Sequence, residues 1–275
     1  YRSLMKKPED NLQSYWETLH HDGIAANDPL APVCTPDESD RINRLYNFGH
    51  RLGMRDVFKR VGDLKGKKVL DVGCGRGRWS KEFAGRGAEV LGVDWSREAV
   101  YRNRQEITEC TFTCMSVKEL HNFKPGSFDI VNSVTVIQHV PREFHQKIFE
   151  DVHTLLVKGG RFCMLESVYN SFSPHKANHK DGSHTFYWTK DAWIGIAEKN
   201  GFKLRSLKGC LYFPLLRIYN KLAAVKKQDI STQWQNNLFI LKELVTIFSF
   251  PIEVLSHVTP CRFATHGVFI FEKPE

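Results

Sequence analysis

One stretch of the chain decides its fold: Val69-Leu70-Asp71-Val72-Gly73-Cys74-Gly75-Arg76-Gly77-Arg78. A short apolar run is followed by three glycines at G-x-G-x-G spacing, which predicts a buried parallel strand that enters a tight turn. The glycines permit backbone angles that a Cβ would forbid, and they let the backbone approach a ligand closely. Residues 78–86 are predicted to form a helix whose N-terminus faces the same ligand.

A second strand followed by an acid strengthens this prediction. Residues 88–93 are apolar, and Asp94 ends that run about twenty residues after the glycine loop, where nucleotide-binding βαβ units place the acid that accepts hydrogen bonds from ribose hydroxyls. The dinucleotide pattern G-x-G-x-x-G would need a third glycine where Arg78 stands. The alternative is that Asp94 caps the next helix beside Ser96.

The chain resembles the class I S-adenosylmethionine-dependent methyltransferases in five stretches that follow the order of that family. They are similar to its glycine-loop motif, its ribose-binding acid, its adenine-packing segment, its fourth strand with the following loop, and its Gly-Gly turn before the fifth strand. The stretches are residues 69–77, 91–94, 112–120, 127–140 and 155–162.

The resemblance and the alternation of apolar runs with helical patterns predict an α/β fold. We expect a doubly wound, mainly parallel seven-stranded sheet whose last strand is antiparallel, with a helical insertion before that strand. The predicted organisation is an N-terminal segment or lid, a methyltransferase core, the insertion and the final strand, over residues 1–40, 41–210, 211–262 and 263–275. Helices of the core are predicted at residues 41–61, 96–105, 142–156 and 190–200.

The insertion is predicted to contain two helices, residues 215–227 and 233–248, followed by a proline-led piece from Pro251 to Val258. Charged residues and Pro251 interrupt it too soon for a membrane span, which needs about twenty apolar residues. Four interpretations stay open: a hairpin packed on the core, a substrate lid acting together with residues before Pro36, a homodimer face, and an interfacial membrane helix. Lys221, Lys226 and Lys227 would form the cationic end of such a helix.

The resemblance implies S-adenosylmethionine as cofactor. The glycines of the loop would line its amino-acid end, with Asp71 engaging the ammonium directly or through water. Asp94 would bind the ribose and Trp95 would pack on the adenine. Many relatives carry an acid where Ser116 stands, so we expect this contact with the adenine amino group to be weaker here or made by another residue. The implied cofactor-binding residues are Asp71, Gly73, Gly75, Gly77, Asp94, Trp95, Ser116, Val117 and Ser133.

Two catalytic candidates follow from the same resemblance. His139 ends the loop after the fourth strand, at the mouth of the methyl-transfer site, and histidine titrates near neutrality, as a general base requires. The alternative to the role of general base is that His139 caps a helix or forms part of the pocket wall. Glu166 falls at the ligand-binding end of the fifth strand, where it would contact substrate or assist His139, or else cap a loop.

The loop between Glu166 and Lys190 is expected to contact the acceptor through Tyr169, His184 and Tyr187. An ordinary surface loop is the alternative. His175, His179 and His184 have a spacing that suggests a metal, but no helix or carboxylate pattern would hold it, so no metal site is predicted.

The end of the fourth strand, Asn132 to Thr135, lacks the Asn/Asp-Pro-Pro-aromatic signature of amide methylases. We therefore expect O-methylation of a small molecule or glycan. The net charge of +8 is the support for the alternative, a tRNA or rRNA methyltransferase. A non-catalytic cofactor-binding partner subunit is the third possibility. Seven cysteines at no metal-like spacing favour reduced thiols and a cytoplasmic location.

Overall fold

The computed structural model describes residues 8–25, 39–169, 185–215, 218–219, 232–256 and 261–275. Three histidines of the loop before Lys190 lie outside these ranges: His175, His179 and His184. Most of the helix predicted at residues 215–227 also lies outside them.

Seven strands form one sheet in the order β3-β2-β1-β4-β5-β7-β6. The first six strands are parallel, and β7 pairs antiparallel with both β5 and β6. This confirms the predicted fold class. The strands are β1 (Lys68–Val72), β2 (Glu89–Asp94), β3 (Thr111–Cys114), β4 (Phe128–Val134), β5 (Leu156–Ser167), β6 (Lys203–Cys210) and β7 (His266–Glu272).

Helices cover both faces of the sheet, as the alternating pattern predicts. The core helices agree with the predicted ranges to within a residue or two, and Gly201 ends α6 with a left-handed φ of 84°. The helices are α1 (Pro8–Ala25), α2 (Asp40–Val61), α3 (Arg78–Ala84), α4 (Arg97–Glu106), α5 (Arg142–Leu155), α6 (Lys190–Lys199) and α7 (Thr232–Ser256), with short 3-10 turns at Val117–Asn122, Ile137–His139 and Cys261–Phe263.

Two local predictions were wrong. The helix predicted to stop at residue 248 continues through Pro251 to Ser256. A proline inside a helix removes one backbone hydrogen bond, but the buried carboxylate of Glu253 accepts hydrogen bonds from the amides of Tyr212 and Phe213 at 3.0 Å and so fixes the following turn on the core. The Gly159-Gly160 turn does not precede β5 but lies inside it, at a register shift against β4.

The hydrophobic core has two layers because successive strand residues point to opposite faces of the sheet. Phe162 and Phe271 face α5 and α6, where they meet Phe149 and Trp193. The alternate residues of the same strands face α2 and α3. None of the helices in the described ranges has the length and apolar character that a membrane crossing needs.

Candidate active site

The glycine loop joins β1 to α3 at the carboxyl edge of the sheet. Gly73, Gly75 and Gly77 all have left-handed φ angles, of 64°, 50° and 68°. At Gly73 a Cβ would also lie 2.3 Å from Cγ2 of Val136, so glycine is required there for space as well as for conformation. The loop therefore packs directly against the segment that follows β4.

Asp94 ends β2 and holds this loop in place. Its Oδ2 accepts a hydrogen bond from the Gly75 amide at 2.8 Å, and its Oδ1 accepts one from the Ser96 amide at 2.8 Å. A carboxylate oxygen has two lone pairs, so each oxygen keeps one acceptor position for a ligand. This arrangement fits two neighbouring hydroxyls of a ribose. The N-cap of α4 is Ser96, whose side chain accepts a hydrogen bond from the Ala99 amide. Asp94 therefore does not take the alternative role of helix cap.

Asp71 lies beneath the loop and is fully buried. Its carboxylate accepts hydrogen bonds from Ser80 Oγ at 2.6 Å and from Asn132 Nδ2 at 2.8 Å, and so links α3 to β4. Burial raises the pKa of Asp71 to about 6, against the lowering effect of these two bonds. Both oxygens already accept from protein groups, so the contact with the cofactor's ammonium stays a prediction.

The residues predicted at the adenine lie around the ends of β2 and β3. Trp95 is half-buried, and its carbonyl accepts a hydrogen bond from Gln13 Nε2 of α1 at 3.3 Å. The Ser116 hydroxyl and amide both serve a capping box with Glu119, and Val117 begins the 3-10 turn that this box caps. Ser133 is buried at the end of β4, next to the asparagine that bonds Asp71. Their cofactor contacts stay predictions.

Helix α1, which the polar sequence of the N-terminal segment did not predict, lies across this site. Glu17 accepts hydrogen bonds from the amides of Arg97 and Glu98, at 2.8 and 3.1 Å, at the N-terminus of α4. The adjacent residue, Trp16, is edge-on to His139, with ring centroids 5.1 Å apart. Helix α1 thus spans from the Asp94 side of the sheet to the predicted base.

His20 is on the same face of α1 and is buried beside Asp94. Burial lowers the pKa of His20, while the charge of Asp94 opposes that shift. Among the described residues its Nδ1 has no hydrogen-bond partner, and the nearby Nη1 of Arg76 likewise has none. Buried polar atoms normally find partners, so these two atoms fit a polar ligand between α1 and the glycine loop.

The loop between β4 and α5 is shaped by Glu166. Its Oε1 accepts from the amides of Val136 and Ile137 at 3.1 and 2.9 Å, and its Oε2 accepts from the Gln138 amide at 3.2 Å. Glu166 is fully buried, and burial raises its pKa to about 8 against the opposing effect of the three amides. In this structure the Glu166 side chain is enclosed and caps the turn that carries His139, which is the alternative role predicted for it from the sequence. Its contact with substrate stays a prediction.

Backbone strain marks the same loop. Thr135 has a φ of 56°, a conformation that a β-branched residue rarely adopts. Its amide bonds the Leu165 carbonyl at 2.7 Å, which holds the strained residue against β5. Strain of this kind costs on the order of 1–3 kcal/mol and is concentrated at functional sites.

His139 lies at the end of this turn with both ring nitrogens near polar groups. Nε2 is 3.2 Å from Gln138 Nε2, and Nδ1 is 3.4 Å from Thr185 Oγ1. The side-chain Oε1 of Gln138 accepts a hydrogen bond from the Ser167 amide, so the side-chain NH₂ group of Gln138 faces His139. We therefore assign the neutral ring a lone pair at Nε2 and a proton at Nδ1.

The acceptor-loop residues divide into three cases. Tyr169 is exposed, and its amide donates to the Trp188 carbonyl at 2.7 Å. Tyr187 is half-buried, and burial raises its pKa. His184 is outside the described residues. Substrate contact stays a prediction for all three, and within the described ranges no three His, Cys, Asp or Glu side chains form a group that could hold a metal ion.

Sequence reasoning missed a histidine pair at the same edge of the sheet. His50 of α2 and His266 of β7 have ring centroids 5.9 Å apart, and His266 Nε2 is 3.1 Å from Ser167 Oγ. Burial holds the pKa of His50 well below its usual range, with Arg78 adding to the shift. The packing of α2 on β7 brings His50 to His266, and the pairing of β5 with β7 places Ser167 opposite His266. These residues are far apart in the chain, so no local pattern could have revealed the group.

Comparisons with known proteins agree with this site. A family model described as a methyltransferase domain matches residues 69–160. Two curated relatives are both named ubiquinone biosynthesis O-methyltransferase. The protein from Acinetobacter baylyi is 29% identical over 202 residues, 66% of this chain and 82% of its own length. The one from Chromobacterium violaceum is 28% identical over 197 residues, 63% of this chain and 84% of its own length.

Among solved structures, the chain is similar to the 1,6-didemethyltoxoflavin-N1-methyltransferase of Burkholderia thailandensis, with a TM-score of 0.57 and 15% identity over 100% of this chain and 94% of that one. At that identity the likeness concerns the fold alone.

The sheet order, the glycine loop and the acid at the end of β2 define the class I methyltransferase fold. The chain belongs to the S-adenosylmethionine-dependent methyltransferases, and S-adenosylmethionine is its cofactor.

Proposed function

We propose that this enzyme methylates a hydroxyl group of a small molecule, with His139 as the general base. The observation that carries the proposal is the placement of the His139 imidazole, with the Gln138 side-chain amide at its Nε2, on a strained turn next to the glycine loop. The names of the curated relatives, which are O-methyltransferases, support oxygen as the acceptor atom.

When bound, the cofactor supplies an electrophilic methyl group, so the protein's main tasks are positioning and proton removal. The remaining lone pairs of Asp94 would hold the ribose hydroxyls, and the Gly75 amide keeps that carboxylate aimed at the loop. A carboxylate that accepts from a hydroxyl makes a charge-assisted bond, the stronger kind of hydrogen bond.

His139 would take the acceptor's proton at Nε2. The Gln138 amide that now occupies this position is a weak partner at 3.2 Å, so an acceptor hydroxyl can replace it. The hydroxyl oxygen of Thr185 would then accept a hydrogen bond from the Nδ1–H of the resulting imidazolium, which keeps both its protons until it is deprotonated by solvent. In this scheme Glu166 is a positioning residue, because it acts through the three amides that set the turn.

Helix α1 would act as the lid of the site, in keeping with the N-terminal segment or lid predicted from the sequence. Gln13, Trp16, Glu17 and His20 recur at helical spacing and all face the site. The described contacts of α7 are instead with α2 and with residues 211–213. Closure by α1 would exclude water from the methyl donor.

The proposal is tested by incubating the protein with methyl-labelled cofactor and a panel of catechols, other phenols, sugars, glycans and tRNA. We expect labelled methyl ether from a phenolic or alcoholic small molecule, and a loss of turnover of about 10²–10⁴-fold in His139→Asn with unchanged cofactor affinity. Transfer to RNA alone, or full turnover in His139→Asn, would refute it.

A matched control is His145→Asn, since His145 is buried near the same loop but donates to the Val140 carbonyl and accepts from Trp188. That substitution is expected to lower stability and to leave the pH dependence of turnover unchanged. Cofactor binding without transfer to any member of the panel would favour the non-catalytic partner subunit.

A further inference from the structure

Helix α7 has the reverse of the burial pattern usual for a surface helix, because apolar side chains are exposed and polar ones are buried. From residue 240 to residue 255, every exposed side chain is apolar: Ile240, Leu241, Leu244, Ile247, Phe248, Pro251, Val254 and Leu255. Every fully buried one is polar: Glu243, Thr246, Ser249 and Glu253. At 100° per residue the exposed apolar positions span an arc of roughly 140°.

The buried polar residues show that this orientation is built into the fold. Glu253 is held by the amides of Tyr212 and Phe213, in a segment where Leu211 and Phe213 have positive φ angles. Glu243 accepts from Ser39 Oγ at 2.5 Å. Thr246 and Ser249 bond carbonyls within the helix. Rotating α7 to bury its apolar face would break the contacts of Glu253 and Glu243 with the rest of the protein.

A row of arginines runs beside the apolar face. Helix α2 lies parallel to α7, because Arg41 contacts Glu243 and Phe48 contacts Phe250. Arg41, Arg44, Arg51 and Arg55 share one exposed face of α2 with Phe48, at spacings of three and four residues. The arginine row is therefore next to the α7 face.

Three of these arginines form ion pairs, with Glu243, Asp40 and Glu82 at 3.6, 2.7 and 3.0 Å, and the arginine side chain of each pair is exposed. Ion pairs at a protein surface contribute little to the free energy of unfolding. A guanidinium has five donors, so each of these arginines can also bind a phosphate.

We propose that the apolar face of α7 and the arginine row of α2 together dock on an anionic lipid surface. An apolar helix face flanked by cations is what an interfacial helix presents to lipid. A second copy of the chain would bring the same arginines, on a protein of net charge +8, to both sides of the contact. The charges thus favour lipid phosphates over self-association. This inference does not depend on the identity of the methyl acceptor.

The test is sedimentation of the full chain with vesicles of phosphatidylglycerol and phosphatidylcholine in equal parts, compared with phosphatidylcholine alone. We expect binding to the anionic vesicles, weakened by salt. Phe248→Ser should lower it by about tenfold, since a buried Phe is worth that much or more. Arg44→Gln with Arg55→Gln should lower it by about fivefold for each arginine.

Matched controls are Tyr101→Ser on α4, which is as exposed as Phe248, and Lys199→Gln on α6, across the sheet from α2. Both should bind vesicles like the parent, and all variants should keep their thermal midpoint and cofactor affinity. Absence of vesicle binding, or binding that Phe248→Ser leaves unchanged, would overturn the proposal. So would a dimer in analytical ultracentrifugation that Phe248→Ser dissociates, without vesicle binding, which would identify the face as a homodimer interface.

Discussion

The carboxylate of Glu17 holds α1 over the active site, and Glu17→Ala should release it. The side chain accepts from two α4 amides at 2.8 and 3.1 Å and from Ser96 Oγ at 3.1 Å. These bonds are partly solvated, so we assign each amide bond about 1 kcal/mol. The sum of about 2 kcal/mol lies at the upper end of the effect of a helix cap, and it corresponds to a rise of roughly 30-fold in the open population of α1.

Hydrogen–deuterium exchange of residues 8–25 measures this opening directly. Glu17→Ala should speed exchange there by roughly the same factor and weaken cofactor binding, while the amides of β1 and β4 keep their protection. The matched control is Asp22→Ala, which removes an exposed acid of the same helix. If only the first amides of α4 exchange faster and residues 8–25 do not, Glu17 is a cap of α4 and not a latch for α1.

Three further predictions concern buried or bridging carboxylates. Asp94→Ala should weaken S-adenosylmethionine binding in calorimetry by 100-fold or more, because two charge-assisted bonds worth about 1.5–3 kcal/mol each are lost. Asp94→Asn should lose less affinity. Equal affinities for the parent and Asp94→Ala would remove this residue from the site. Burial raises the pKa of Asp71 from 3.8 to about 6, so its contribution to the unfolding free energy is full below about pH 4 and falls by up to about 3 kcal/mol as the pH rises through 6. Urea unfolding should show the stability difference between the parent and Asp71→Asn shrinking over that range, and a constant difference would contradict it. Glu253→Ala should lower the free energy of unfolding by about 2–4 kcal/mol, because it leaves two buried amides unpaired. It should also make residues 232–256 sensitive to protease. If these residues stay protected, α7 has other anchors.

Much of the core follows from local sequence. The apolar runs that end at Val72 and Val93 form the strands they predict, because a buried parallel strand is apolar on both faces. The three glycines have the positive φ angles expected of them. The helices between the strands begin at capping residues such as Ser96 and Thr189.

The site beyond the glycine loop was predicted less well. Glu166 is at the predicted end of β5, but its sequence position could not show that three amides of the neighbouring loop surround its carboxylate. Helix α1 has no strong apolar periodicity, since its inner face uses Gln13, Trp16 and Glu17 to bond and pack against α4 and His139.

The sequence by itself therefore determined the class of fold, the cofactor loop and the acid at the end of β2, because each depends on patterns within a few consecutive residues. Only the tertiary structure revealed the contacts of α1 with α4 and His139, the enclosure of Glu166, the contact of His50 with His266 and the outward apolar face of α7. In each case the deciding partner is distant in the chain, as Glu253 is from Tyr212 and Glu17 is from Arg97. A buried carboxylate must find donors wherever the fold places them, and that requirement overrides the local periodicity from which a helix face is predicted.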